Sequence, residues 1–255
     1  MKPIQIYRVK DAKEKHYKNK GLLFDLPAKI LLIGKSQYSG KSSYILNLLE
    51  QNDDRLYKND FDEIYIFSGS VSTDNKIKTL IAQHDIPEEN IHSEFDEDML
   101  EAIYDLTLEE YEESIENGES PKHVLLILDD ISFKGDLKKK NNGILNKVFC
   151  NGRHINLSII VTSQKYSQLH TCQRENATGV ICWSCTDKQL ELIADDHNIL
   201  DSKKLFKKMF RTVTEKPYTA LVINYSNPKE DRYMNINFEP IGKCGKVKGK
   251  ECDCK

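Results

Sequence analysis

The sequence predicts an α/β fold of three layers, in which helices cover both faces of a mainly parallel sheet. Short apolar runs rich in β-branched residues recur along the chain, and stretches with helical spacing separate most of them. Strands that are apolar over their whole length are typical of a parallel sheet that is buried on both faces. The length of 255 residues suits one large domain better than two complete ones.

The individual elements follow from the same two patterns. Six strands are predicted, at residues 29–33, 63–67, 123–128, 157–162, 179–183 and 219–224. Four helices are predicted, at residues 42–50, 75–84, 97–116 and 202–210.

Two regions look like additions to this core. We expect the acidic stretch from Glu88 to Glu119 to form a solvated helix. The tail, residues 242–255, is poor in apolar residues, and we expect it to be disordered. The predicted organisation is therefore an N-terminal extension (1–26), a central domain (27–241) and the tail.

Composition indicates a globular protein that acts inside a cell. Charged residues make up 30% of the chain, and the longest purely aliphatic run, Val124–Leu128, is far shorter than the roughly 20 residues of a membrane helix. The first 20 residues have no apolar segment typical of a secretory signal. Seven cysteines at irregular spacing fit a reducing compartment. The net charge of −3 neither demands nor excludes nucleic acid as a partner.

Residues 34–43 read GKSQYSGKSS and end like a phosphate-binding loop. The usual loop is a glycine, four residues and then Gly-Lys-Ser or Gly-Lys-Thr. Here five residues separate Gly34 from Gly40, and Lys35 stands where the first glycine is usual. The segment nevertheless follows a predicted strand and opens a predicted helix, whose N-terminal N–H groups bind phosphate. The predicted nucleotide-binding residues are Gly34, Ser39, Gly40, Lys41, Ser42 and Ser43.

The side chains of this loop have distinct expected roles. Lys41 would reach the β- and γ-phosphates, and the Ser42 hydroxyl would ligate Mg²⁺. Gly40 would let the backbone approach the phosphate closely. Lys35 has two interpretations, because its side chain would either face solvent or lie against the nucleotide as a second cation.

Two later strands end in polar residues that suit nucleotide hydrolysis. HVLLILDD at residues 123–130 is typical of a Walker B strand, in which Asp129 would hold Mg²⁺ and Asp130 would polarise the attacking water. The alternative is a buried strand that acids merely cap at the surface. SIIVTSQ at residues 158–164 ends in Gln164, which could sense the γ-phosphate, although a strand ending in glutamine is weak evidence by itself.

The segment NGRHINLSIIVTSQ, followed by QREN at residues 173–176, resembles a region of the HerA–FtsK class of DNA-pumping ATPases. In that class the region runs from an arginine through a strand to a glutamine. The adjacent aspartates, and the GRH that precedes TSQ, are most similar to the poxvirus-type DNA-packaging ATPases of large DNA viruses. The resemblance covers residues 29–185 and rests on three motifs in the right order.

The resemblance implies a RecA-like P-loop ATPase that uses ATP and Mg²⁺. It also implies a ring, expected to be a hexamer, that drives double-stranded DNA into a preformed capsid. The implied partners are this DNA and a component of the capsid or portal vertex. The implied location is the host cytoplasm or virus factory, with association with the virion as a further option.

The resemblance also implies a catalytic arginine that acts on the nucleotide of the neighbouring subunit. Arg153 lies eleven residues before Gln164 and matches that position. A guanidinium suits the role because it stays charged and presents a planar fork of donors. Arg174 is a second candidate, and a surface salt bridge is the alternative for both. Asp130 departs from the glutamate of many members and is one methylene shorter.

Two lysine-rich segments are candidates for binding the DNA backbone, which is recognised largely through charge. Residues 132–143 (SFKGDLKKKNNG) carry Lys134, Lys138, Lys139 and Lys140. Residues 203–208 (KKLFKK) form the second segment. Each has a solvated surface as its alternative.

A zinc site could combine Cys182 and Cys185 with the cysteines of the tail. An apolar role is the favoured interpretation of the pair, because the two cysteines flank Trp183 at a predicted strand end.

The alternative function is that of a P-loop nucleotide switch or partition-type NTPase, which needs no residue acting between subunits. A terminase-type motor is disfavoured because the chain after Gln164 is short for a separate nuclease domain.

Overall fold

The protein is organised around an eight-stranded sheet, seen in a computed structural model that describes residues 18, 20–49, 56–130 and 143–249. The strands run in the order β3-β2-β4-β5-β1-β6-β7-β8, and β7 and β8 extend an otherwise parallel sheet in antiparallel pairing. Their bounds are β1 (Lys29–Ile33), β2 (Glu63–Ser68), β3 (Ile91–His92), β4 (Val124–Asp129), β5 (Leu157–Ser163), β6 (Gly179–Trp183), β7 (Ala220–Asn224) and β8 (Tyr233–Met234).

Helices cover both faces of this sheet. They are α1 (Lys41–Leu48), α2 (Asn75–Gln83), α3 (Glu97–Asn117), α4 (Gly143–Asn151), α5 (Thr171–Asn176), α6 (Asp187–His197) and α7 (Lys203–Val213). The buried side chains of α1 and α2 belong to one apolar core, and those of α3, α4, α6 and α7 belong to a second core on the opposite face. The prediction of a three-layer α/β fold with a mainly parallel sheet is therefore confirmed.

The predicted strands and helices are present, and their bounds differ by at most three residues. Five of the helices and strands were not predicted, namely α4, α5, α6 and the edge strands β3 and β8. The edge strands have two residues each and α5 has six, which is too short for a periodic pattern to emerge.

The expectation of a solvated helix between Glu88 and Glu119 is wrong for one side of α3. Leu100, Ile103, Tyr104 and Tyr111 recur at helical spacing and are buried in the core of the sheet's second face. The acidic residues occupy the other side. Since the apolar positions are thinly spread among glutamates and aspartates, composition alone hides this amphipathic pattern.

The expectation of a disordered tail is wrong for residues 242–249. The N–H of Gly242 donates to the carbonyl of Lys246 at 2.9 Å, and the N–H of Lys248 donates to the carbonyl of Pro240 at 3.0 Å. Val247 packs against the core, so a hydrogen-bonded turn with one apolar anchor orders this segment. Residues 250–255 lie outside the described part of the chain.

Part of the predicted N-terminal extension also packs on the sheet. Leu23, Phe24 and Leu26 are buried in the core that contains α1. None of the helices in the described ranges combines the length and apolarity needed to cross a lipid bilayer.

Candidate nucleotide-binding site

The packing of the loop after β1 explains why its first glycine is Gly34, one position earlier than in the usual phosphate loop. The N–H of Gly34 donates to the carbonyl of Ser163 at 3.0 Å, which fixes the start of the loop against β5. A Cβ at this position would lie 2.7 Å from Cβ of Ser39 and 3.2 Å from Cβ of Trp183. A side chain does not fit there without displacing both neighbours, so the glycine is needed at position 34 and not at position 35.

The second glycine begins helix α1. Gly40 has a φ of 76°, in the left-handed region that favours glycine, and its carbonyl accepts the N–H of Tyr44 at 2.9 Å. No side chain caps this helix, and its first turn has no acidic residue. The free N–H groups at the start of α1, including those of Ser42 and Ser43, therefore form a site that suits an anion.

Lys41 is buried, with 7% of its surface exposed, and its ammonium group contacts the backbone of the loop. Its Nζ donates to the carbonyl of Gly34 at 2.8 Å and lies 3.4 Å from the carbonyl of Lys35. Burial lowers the pKa of Lys41, while the carboxylates of Asp130 and Asp129 act in the opposite direction. Both predicted carboxylates therefore lie near enough to Lys41 to influence its pKa.

The inserted residue Lys35 contributes through its backbone. Its carbonyl accepts the Ser39 hydroxyl as well as the ammonium of Lys41, so the extra residue helps to shape the loop. Its side chain is exposed and lines a small recess together with Tyr38 and Trp183. A contact between this side chain and the nucleotide stays a prediction.

Asp129 ends β4 in a buried position, with 3% of its surface exposed. Its carboxylate accepts the Thr162 hydroxyl at 2.8 Å and the Ser68 hydroxyl at 3.4 Å. Burial raises the pKa of Asp129, and the hydrogen bond from Thr162 opposes that rise because it stabilises the charged form.

Asp130 and Gln164 are joined directly. The Gln164 amide lies 3.1 and 3.3 Å from the two carboxylate oxygens of Asp130. The N–H of Asp130 donates to Thr162 Oγ1 at 2.8 Å, and the residue adopts a φ of 52° that aspartate tolerates. Thr162 therefore binds Asp129 through its hydroxyl proton and Asp130 through its oxygen.

Sequence reasoning did not identify Thr162 or Ser68 as site residues. Side chains two positions apart on a strand point to the same face, so Thr162 could have been inferred from its distance to Gln164. Ser68 ends β2 opposite Asp129 in the parallel register, and only the pairing of β2 with β4 reveals that relation.

Among the described residues, neither candidate arginine forms a hydrogen bond or an ion pair with the phosphate loop. Arg153 is exposed in the 3₁₀ turn Gly152–Ile155. Its charge contributes to lowering the pKa of Lys29, which begins β1 at the amino edge of the sheet. Since β1 ends at the phosphate loop, about 13 Å along the strand, Arg153 lies towards the opposite edge of the same subunit. Arg174 forms an ion pair with Asp196 at 2.8 Å.

Of the two lysine-rich segments predicted to bind DNA, the structure describes only the second in full. The predicted DNA-facing loop, residues 132–143, lies outside the described residues except for Gly143. In the second segment, Lys203 pairs with Asp195 and Lys207 pairs with Glu191, both on α6. These ion pairs favour the interpretation of residues 203–208 as a solvated helix face.

The cysteine pair is part of the apolar core. Cys182 is buried within β6, and burial raises its pKa. Cys185 packs against the same core. No group of three or more histidine, cysteine or acidic side chains in the described ranges could hold a metal ion.

The edge of the sheet can accept a triphosphate and a hard cation. Free N–H groups and a buried ammonium lie at the end of β1, and two carboxylates with hydroxyl partners lie at the end of β4. Oxygen ligands such as the Ser42 hydroxyl and the Asp129 carboxylate are those that Mg²⁺ prefers, so the donor set fits this ion.

The sequence matches the model of one protein family. A family model described as Poxvirus A32 protein matches residues 14–237. No curated protein sequence matches the chain.

Solved structures share the fold at low sequence identity. The genome packaging NTPase B204 from Sulfolobus turreted icosahedral virus 2, in complex with AMPPCP, superposes with a TM-score of 0.52 and 16% identity over 78% of this chain and 93% of its own. Its complex with AMP superposes with a TM-score of 0.53 and 17% identity, over 78% of this chain and 94% of its own. ATPases 2 and 3 of EssC from Geobacillus thermodenitrificans superpose with a TM-score of 0.54 and 16% identity, over 81% of this chain and 38% of their own.

Proposed function

The chain belongs to the poxvirus A32 protein family, and on this premise we propose that it is an ATPase motor that packages viral DNA. The observation that carries this proposal is the meeting of three sequence motifs at one edge of the sheet. The charges of Asp129 and Asp130 act on Lys41, and Asp130 contacts Gln164. A nucleotide-bound packaging NTPase with the same fold supports it. We place the ATPase in residues 27–241.

The triphosphate of ATP binds at the start of α1. The N–H groups of this helix receive the phosphates, and Lys41 exchanges its backbone carbonyl partners for phosphate oxygens. Ser42 and Asp129 would hold Mg²⁺, which would supply positive charge against the phosphates. Thr162 keeps Asp129 oriented and favours its ionised form.

Hydrolysis uses the Asp130–Gln164 pair. Asp130 accepts a proton from the water that attacks the γ-phosphate, and the products are ADP and phosphate. The Gln164 amide restrains both carboxylate oxygens of Asp130, so it can couple the position of this base to the presence of the γ-phosphate. Arg153 of a neighbouring subunit stabilises the charge that develops on the transferred phosphoryl group.

The work of the motor requires a ring of subunits around double-stranded DNA. We assign a hexamer, with residues 132–143 contacting the DNA backbone and a capsid or portal-vertex component as the docking partner. The site of action is the cytoplasm or virus factory of the host cell, with or without retention in the virion.

The decisive experiment is ATP turnover with and without long double-stranded DNA. We expect DNA to stimulate turnover, and Lys41→Ala to abolish it because the buried ammonium that contacts the phosphates is lost. Lys203→Ala is the matched control, since this lysine pairs with Asp195 on an exposed helix face. Turnover that does not respond to DNA, from a protein that stays monomeric with a non-hydrolysable nucleotide, would favour the nucleotide switch instead.

A further inference from the structure

The order of the strands gives the direction in which a bound nucleotide lies. Asp129 ends β4 and Gln164 follows β5, and both strands lie on one side of β1. The γ-phosphate therefore points to that side. The nucleoside, at the other end of the triphosphate, must leave the loop towards β6, β7 and β8.

A large groove lies beside α1 on this second side. Its volume is about 830 Å³, within the range of small-molecule sites. We call it the α1 groove, and its walls include Leu22, Tyr44, Asn47, Tyr218, Asn237 and Phe238. It adjoins the phosphate loop directly, because a Cβ on Gly40 would lie 3.4 Å from the ring of Tyr218.

The lining of the α1 groove suits a nucleoside. Tyr218 is 60% exposed and Leu22 is 48% exposed, so apolar surface faces the groove from two sides. The backbone of Tyr218 is held in place, since its N–H donates to the carbonyl of Tyr38 at 3.1 Å. An exposed aromatic ring on an anchored backbone is a platform on which a base can stack.

Two amides supply polar groups at the same place. The side chains of Asn47 and Asn237 line the groove, and neither makes a side-chain hydrogen bond to the described residues. A carboxamide has both donors and acceptors, so it can pair with the edge of a base or with ribose hydroxyls.

A second recess near the loop fits less well. It has a volume of about 290 Å³ and is lined by Lys35, Tyr38 and residues 214–217, with no contribution from α1. Since the α-phosphate lies at the start of α1, the larger groove along this helix is the better continuation of the site.

We propose that the α1 groove binds the nucleoside of the triphosphate, with the base stacked on Tyr218. This inference rests on the proposed ATPase function. It adds a recognition element that none of the three sequence motifs contains.

The test compares two ligands in the presence of Mg²⁺, namely ATP and inorganic tripolyphosphate, by calorimetry. Only ATP can use the groove, whereas both ligands use the phosphate loop. We expect Tyr218→Ala to weaken ATP binding about tenfold and to leave tripolyphosphate binding unchanged. Tyr218→Phe keeps the ring and should retain the affinity for ATP.

A matched pair of leucines controls for the loss of exposed apolar surface. Leu22 in the groove is 48% exposed and Leu106 on α3 is 46% exposed. Leu22→Ala should weaken ATP binding about threefold, and Leu106→Ala should not change it.

Three results would overturn the inference. If Tyr218→Ala loses affinity for ATP and for tripolyphosphate equally, Tyr218 only supports the phosphate loop. If it loses affinity for neither ligand, the ring has no role in nucleotide binding. A change in oligomer mass without a change in ATP affinity would assign the groove to a contact between subunits. In contrast, a native chain that binds neither ligand would refute the proposed ATPase function itself.

Discussion

The two arginines that are candidates for action between subunits lie in contrasting surroundings. The Arg174 side chain is only 15% exposed, pairs with Asp196 at 2.8 Å and lies over the ring of Tyr166 at 5.0 Å. Arg153 is exposed, and no ion pair to it occurs within residues 18, 20–49, 56–130 and 143–249. The charge of Arg174 is used inside the subunit, whereas that of Arg153 is available to an anion on another molecule.

Arg174 belongs to a network that links three elements. The Tyr166 hydroxyl donates to Asp196 at 2.7 Å and lies 2.8 Å from Nε2 of His197. Nδ1 of His197 lies 2.6 Å from the Tyr225 hydroxyl. Because Tyr166 already donates to Asp196, it accepts from Nε2. Burial lowers the pKa of His197 to about 4, so near pH 7 the imidazole is neutral and Nδ1 accepts from Tyr225, which fits a structural role.

Arg153 lies near one other cation, the ammonium of Lys29. Lys29 is buried, and its Nζ donates to the carbonyl of Phe149 at 2.7 Å. Burial lowers the pKa of Lys29, and the positive charge of Arg153 lowers it further. Since the ammonium of Lys29 is buried and bound to a carbonyl, the exposed guanidinium of Arg153 is the group that can reach an anion on another molecule.

The largest expected effect is that of Arg153→Ala on ATP turnover by the assembled protein. We expect a loss of about 10³-fold or more, because an arginine acting between subunits stabilises the charge of the transition state. The affinity of one subunit for nucleotide should be unchanged, since Arg153 lies towards the opposite edge of its own sheet. Turnover and nucleotide binding are measured separately on the same preparation.

Mixed assemblies make the test specific for action between subunits. Arg153→Ala and Lys41→Ala subunits, each inactive alone, should regain part of their turnover when mixed, because some interfaces then combine an intact arginine with an intact phosphate loop. Normal turnover by assembled Arg153→Ala would show that the assignment of this arginine is wrong.

The contrast between the arginines also marks what the sequence could predict. The strand-loop-helix at residues 29–48 and the strand that ends in Asp129 can be predicted, because each is a local pattern of residues. The surroundings of Arg174 cannot, since Asp196 lies 22 residues away and reaches it only through the packing of α5 and α6. The role of Gly34 was equally hidden, because it depends on Trp183 at the end of β6. Local strand and helix patterns can therefore be predicted from the sequence, and contacts across the sheet cannot.

An intermediate effect is expected for the pH dependence of stability through His197. Burial lowers the pKa of His197 from 6.5 to about 4. The unfolded chain therefore binds a proton below pH 6.5, whereas the folded chain binds it only near pH 4. As a result, the contribution of His197 to the free energy of unfolding is complete above pH 6.5 and is lost as the pH falls through this window. We expect a contribution of about 2.5 kcal/mol to the loss at pH 4.5.

The variant His197→Gln isolates this contribution from that of the carboxylates. Its free energy of unfolding should fall less between pH 7.5 and pH 4.5 than that of the native chain, although it will be less stable at pH 7.5 because one hydrogen bond of the network is lost. Urea unfolding at the two pH values gives both quantities. Parallel pH profiles for the two proteins would mean that His197 is not held neutral.

The smallest expected effect is that of Arg174→Ala, and it falls on stability. We expect a decrease of about 1.5 kcal/mol in the free energy of unfolding, because a partly buried charged hydrogen bond to Asp196 is lost. Turnover at a temperature where the variant is folded should stay within about twofold of the native rate. Arg174→Met is the control, since it keeps an apolar chain over Tyr166 and should restore the packing part of the loss but not the ion pair. A large loss of turnover in both variants, at unchanged stability, would assign the catalytic action on a neighbouring subunit to Arg174 in place of Arg153. Only a functional contact would make the charge of Arg174 matter more to catalysis than to folding.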